Sequence, residues 1–149
     1  MAPKRILIVD DDPILVKGLT RVLNDAGYDI LTARDGSEAV SVARHEKPDL
    51  ILLDVLFPPD VEHGGGIAWD GFLIMDWLRR QEETKSVPIF MITMGDTEKY
   101  RNIAFARGAA AFFHKPIDRD ELLTAVRQTL GEVAAETTLM VRLDIPSNR

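Results

Sequence analysis

Five polar residues are distinguished by their types and by the apolar runs they follow. Asp10 and Asp11 come after Ile6-Leu7-Ile8-Val9, and Asp54 comes after Leu50-Ile51-Leu52-Leu53. Thr93 closes Ile89-Phe90-Met91-Ile92, and Lys115 follows the run Ala110 to Phe113, just before Pro116. Three carboxylates brought together repel one another unless a cation lies among them. With oxygen ligands and no cysteine or nearby histidine, the expected cation is Mg²⁺. A divalent ion with an ammonium and a hydroxyl is a set that neutralises a transferring phosphoryl group. A carboxylate beside that ion can itself be the nucleophile, giving an aspartyl phosphate. Taken singly, each residue is ordinary: an Asp at a strand end is usually a helix cap, and Asp12 is read as one. In this order, after four separate apolar runs, caps do not account for all five.

The elements that must position these residues alternate in type. The runs at 6–9, 28–33, 50–53, 89–92 and 110–113 read as strands. Between them, Leu15, Leu19, Val22 and Leu23 recur at the period of a one-faced helix. That first helix starts with Pro13 and is closed by Gly27. Further helices are expected at Ser37–His45, over 70–81, at Thr97–Arg107 and from Pro116 and Asp118 onward, the last carrying Leu122, Leu123, Val126 and Leu130. Nearly all-apolar strands alternating with helices predict an α/β fold, a parallel sheet covered on both faces. Ligands of such sheets sit beyond the carboxyl ends of the strands, where the five residues fall.

Composition narrows the alternatives. A chain of 149 residues fits one domain, and at that size roughly 68–70% of the extended surface is buried without staples. Eighteen basic against 24 acidic residues leave a net charge of −6, which argues against nucleic-acid binding by this chain alone. The absence of cysteine removes disulfides, thiolate metal sites and a thiol nucleophile. No apolar run reaches the roughly 18 residues of a membrane span, and Met-Ala-Pro-Lys-Arg does not read as a signal peptide. A soluble, cytoplasmic protein is expected.

The motifs Ile-Val-Asp-Asp-Asp-Pro (8–13), Leu-Leu-Asp-Val-Leu-Phe-Pro (52–58), Ile-Thr (92–93) and Lys-Pro (115–116) together resemble those of the receiver domain of two-component response regulators, over about residues 4–130. The resemblance implies a doubly wound, flavodoxin-like sheet of order 2-1-3-4-5 in a receiver domain at 1–131. It implies that Asp54 is the phosphoacceptor, taking its phosphoryl group from a phosphohistidine on a histidine kinase or phosphotransfer protein. Asp11 matches the direct Mg²⁺ ligand, Asp10 the ligand acting largely through water, and Leu56 the residue lending its backbone carbonyl. Thr93 and Lys115 match the pair contacting the phosphoryl oxygens, and Phe112 the aromatic position that turns inward as the threonine moves. Such a domain catalyses its own phosphoryl transfer and slow dephosphorylation, and signals by changing its face toward a downstream protein partner.

Several features depart from the family pattern. Asp70-Gly71 follows Pro58 by twelve positions instead of three, so the loop is nine residues longer, with an insertion at about 59–69. The insertion reads as a tolerated surface loop, and His63 within it as solvated. Met94 is bulky where a small residue is common, and Leu56 is apolar where a polar one helps position water, so a long-lived phosphorylated form is expected. On helix three, Phe72, Ile74, Met75 and Leu78 share the core-facing arc while Leu73 and Trp77 point away, and Ile67 and Trp69 are expected to fold over them. The 19 residues after helix five are too few for an output domain, which suggests a stand-alone receiver. Helix five is expected to run past Gly131 through Val133-Ala134-Ala135. In the extension at 132–149, Leu139, Val141, Leu143 and Ile145 alternate with polar residues and Met140, a strand signal ended by Pro146. That strand is expected to satisfy a sheet edge in its own chain or in a second copy, giving a homodimer.

Two other functions compete with the signalling switch. A phosphorylation-independent protein-interaction module would not need all of Asp10, Asp11, Asp54, Thr93 and Lys115. A Mg²⁺-dependent phosphohydrolase with an aspartyl nucleophile would resemble Asp-x-Asp after the first strand, whereas the isolated acceptor here follows the third.

Overall fold

The computed structural model describes residues 2–55, 70–95 and 97–131. Five strands, β1 (Arg5–Val9), β2 (Asp29–Ala33), β3 (Leu50–Asp54), β4 (Ile89–Thr93) and β5 (Ala111–His114), alternate with five helices. These are α1 (Pro13–Asp25), α2 (Gly36–Glu46), α3 (Gly71–Arg79), α4 (Thr97–Ala106) and α5 (Arg119–Leu130). All neighbouring strands are parallel, in the order β2-β1-β3-β4-β5. The doubly wound α/β sheet expected from the sequence is therefore present.

Strand alternation divides the core in two. Leu7, Val9, Ile51, Leu53, Ile89 and Met91 pack with residues of α2, α3 and α4 on one face. Ile6, Ile8, Leu50, Leu52, Phe90 and Ile92 pack with α1 and α5 on the other. Because successive side chains leave a strand on opposite faces, a strand buried on both must be apolar at every position, as β3 and β4 nearly are. Asp54 and Thr93 end these two strands and break that rule where the sheet reaches its rim.

Helix starts follow one device. Asp12, Asp35, Asp70 and Asp118 each accept a first-turn amide hydrogen bond at the N-terminus of α1, α2, α3 and α5, satisfying donors with no partner inside the helix. Asp70 is thus a cap, with extended backbone, and α3 begins after it. At its other end, Arg80 and Gln81 donate to Trp77 and Leu78 in a tightened turn, so the helix is shorter than 70–81. Pro116 does not open α5: it follows a cis Lys115–Pro116 bond, and the helix begins after Asp118. Nor does α5 continue past Gly131, whose φ of 90° lies outside the helical region and suits glycine. The expected strand in the tail, and its dimer, lie outside the described residues. So do Leu56, His63, Ile67 and Trp69.

Gly71 holds the base of the longer loop. Its N–H donates to the Val55 carbonyl at 2.7 Å, so the chain returns against the end of β3. A Cβ built there would run into the Asp54 carbonyl oxygen and lie 2.8 Å from Val55 Cα, both backbone atoms that cannot swing aside. Gly18, inside α1, would place a Cβ with nothing within 4 Å. Gly71→Ala should therefore cost about 1–3 kcal/mol in urea unfolding, whereas Gly18→Ala should stabilise by about 0.5–1 kcal/mol. Equal effects of the two changes would contradict the close approach at Gly71.

Candidate functional site

The parallel sheet delivers every strand's carboxyl end to one rim. β1 lies between β2 and β3, which makes its end the point where strand order reverses, the usual ligand site of such sheets. Asp10 and Asp11 follow β1 there, and Asp54 ends the adjacent β3. Asp10, Asp11 and Asp54 each offer a carboxylate oxygen, all within 4.8 Å of one another. Asp10 and Asp54 are buried, at 1% and 3% exposure, and Asp11 is exposed.

Lys115 reaches into this cluster from beyond β5. Its Nζ lies 2.9 Å from Asp10 Oδ2 and 3.2 Å from Asp54 Oδ2, and it donates a hydrogen bond to the latter. Its backbone is fixed by an N–H bond to the Thr93 carbonyl, 2.8 Å. Burial pulls the ammonium's pKa down, but the contact with Asp10 and the charges of Asp54 and Asp10 outweigh it and hold the pKa above its ordinary 10.5.

Asp10 divides its oxygens between two tasks. Oδ1 accepts the Asp12 N–H at 2.9 Å, turning the chain into α1. Oδ2 is buried and receives no well-aligned hydrogen bond, so its contact with Lys115 is an ion pair rather than a directed bond. One ammonium offsets one of three carboxylates, and a buried anionic oxygen still lacks an aligned donor. That donor set, hard oxygens with residual negative charge, fits a small divalent cation.

Thr93 is fully buried at the end of β4, one residue beyond the Asp54–Ile92 register pair. Its Oγ1 accepts the Gly95 N–H at 2.9 Å, so the hydroxyl is held by the following turn rather than by the carboxylates. Phe112 stands opposite Met91 on β5, half-buried against the α2–α4 core. The structure thus gathers Asp10, Asp11, Asp54 and Lys115 directly, sets Thr93 at their edge, and keeps Phe112 one strand away. Asp12 is the cap it was read as. What the sequence did not reveal was Gly71 against the Asp54 carbonyl and Gly95 holding Thr93. The Asp-Gly pair at 70–71 was the available signal for the first.

Known proteins share this fold. The response regulator receiver domain model matches residues 6–127. The chain belongs to that family. Protein PilH of Pseudomonas aeruginosa is 33% identical over 127 residues, covering 85% of this chain and 98% of PilH. The DNA-binding regulator RpaA of Synechocystis is 36% identical over 126 residues, 85% of this chain but 48% of RpaA. Chemotaxis protein CheY4 of Vibrio cholerae superposes with a TM-score of 0.75 at 30% identity, over 87% of this chain and 100% of CheY4. A sensor histidine kinase receiver domain from Pseudomonas aeruginosa, with a magnesium ion coordinated in its active-site cleft, gives a TM-score of 0.74 at 28% identity, over 87% of this chain and 99% of that domain. The receiver fold and its two-component family are thereby established.

In this receiver, Lys115→Met leaves two buried carboxylates without their counter-ion. Metal-free protein should lose about 3 kcal/mol at neutral pH. Because the folded-state pKa of Lys115 is raised, its contribution is complete below the unfolded value and fades as pH rises through the folded one. The stability gap between wild type and variant, followed by urea unfolding, should persist to pH 10.5 and close above it. A gap already gone at lower pH would mean that the carboxylates do not hold Lys115 charged.

Proposed function

We propose that this receiver is a phosphorylation-controlled signalling switch in which Asp54 accepts a phosphoryl group from a phosphohistidine on a histidine kinase or phosphotransfer protein. The observation that carries the proposal is Lys115 set between buried Asp10 and Asp54, with Asp10 Oδ2 short of an aligned donor. Asp54 is the nucleophile: its oxygen forms a P–O bond as the donor's P–N bond breaks. Lys115 then releases its contact with Asp54 Oδ2 to meet a phosphoryl oxygen, at little reorganisation because it already points there. Asp10, Asp11, Asp54 and the Leu56 carbonyl would hold Mg²⁺, which would supply the positive charge that the transferring group needs.

The signal then rests on a two-state element. Thr93 leaves Gly95 for a phosphoryl oxygen, and the space it opens lets half-buried Phe112 turn inward. The face of α4, β5 and α5 would change with it. That face carries Phe105, 45% exposed, with the Arg101 guanidinium 5.9 Å from its ring, a mixed apolar and cationic surface suited to a downstream protein partner. Among the described residues no helix is long and apolar enough to cross a membrane; the proposed histidine donor would be met in the cytoplasm.

Incubation with acetyl phosphate and Mg²⁺, read by intact mass, should give a single phosphoryl adduct that is lost in Asp54→Ala. An unmodified wild type would move the reading to a phosphorylation-independent interaction module.

Met94 stands 71% exposed directly after Thr93, and Leu56 is two residues past the acceptor. We propose that these two side chains slow hydrolysis of the aspartyl phosphate. Leu56→Asn and Met94→Ala should each speed phosphate loss several-fold in a time course of the purified phosphoprotein. Unchanged rates in both would sink the idea.

A further inference from the structure

We infer that residues 138–145 of this same chain add a sixth strand to the sheet at the open edge of β2. The inference is independent of the phosphoryl chemistry. β2 pairs with β1 on one side, and among the described residues no strand lies on its other. The Asp29 N–H donates to the Lys4 carbonyl, and the Ala33 carbonyl accepts from the Asp10 N–H, so odd-numbered residues of β2 turn their backbone groups toward β1. In a parallel ladder the alternate residues point the other way. The N–H and C=O of Ile30 and Thr32 therefore face the open edge. Open strand edges invite pairing.

The sheet has two such edges, and the end of α5 selects between them. The Gly131 carbonyl accepts the Tyr28 hydroxyl at 3.3 Å, and Tyr28 immediately precedes β2. The chain thus leaves α5 at the foot of β2, with β1, β3 and β4 between it and β5. Residues 132–137 can span at most about 20 Å, and the five residues of β2 are about 17 Å long. A segment beginning at 138 is therefore within reach of the β2 edge.

The sequence of that segment fits an edge position. Leu139, Val141, Leu143 and Ile145 alternate with Thr138, Met140, Arg142 and Asp144, the period of a strand with one face covered and one in water. At the β2 edge, half-buried Ile30 belongs to the α1 side and half-buried Leu31 to the α2 side, so a further apolar row can extend either core. A partner in the same chain starts at high effective concentration, which favours this pairing over a second copy.

Hydrogen exchange with sedimentation tests the assignment. In the full chain, the Ile30 and Thr32 amides should be protected while the protein sediments as a monomer. Truncation after Glu136 should speed their exchange by at least about tenfold. In case truncation unsettles the fold, Val141→Asp in the full chain should do the same, and Arg142→Ala, on the opposite row, should leave protection intact. Protection unchanged by truncation and by Val141→Asp would overturn the proposal. Loss of protection in Arg142→Ala, or protection found only at concentrations where the chain is a dimer, would overturn it equally.

Discussion

A single ammonium holds two buried carboxylates at the end of the sheet, and much of the architecture serves to bring it there. Asp10 and Asp54 come from adjacent strands, whereas Lys115 follows an edge strand and must reach past β4. The reach works because the strands are parallel, so all their carboxyl ends meet at one rim. It also requires Lys115 to be seated, as its N–H is, on the Thr93 carbonyl at the end of the intervening strand. Without the cation, two anions would sit in a place with little water to screen them. With it, the cluster still carries excess negative charge, the condition under which a further cation finds a favourable site.

The two hydrophobic cores supply the rigidity this arrangement demands. Strands buried on both faces have little freedom to shift along their axes, because a slip of one residue would send each apolar side chain to the wrong face. The register that pairs Asp54 with Ile92 is thus enforced by Leu52, Leu53, Phe90 and Met91 rather than by the charged residues themselves. Packing fixes the rim, and the rim fixes the distances among the carboxylates.

That division explains what could be read from the sequence. Apolar runs ending in Asp10, Asp54 and Thr93 are legible because a charge or hydroxyl after a buried strand interrupts a strong pattern. The clustering at one rim follows from the same pattern, and the strand order from the resemblance of the motifs. Helix limits were less legible. Asp70 and Asp118 are compatible with either a cap or a first turn, and Gly131 with either a helix interior or its end. The choice is made by backbone angles that depend on what packs beside them. Gly71 is harder still, since its need to be glycine arises from the carbonyl of a residue seventeen positions earlier. Tyr28 and Gly131, 103 residues apart, meet only because α5 crosses the sheet.

The bond between Gly71 and Val55 also bears on how this receiver diversifies. It ties together the two ends of the segment from 56 to 70, so the stem is closed whatever lies between. The entropic cost of closing such a segment grows only logarithmically with its length. Evolution can vary the stretch beside Asp54, in size or in composition, without renegotiating the packing of the residues that flank it.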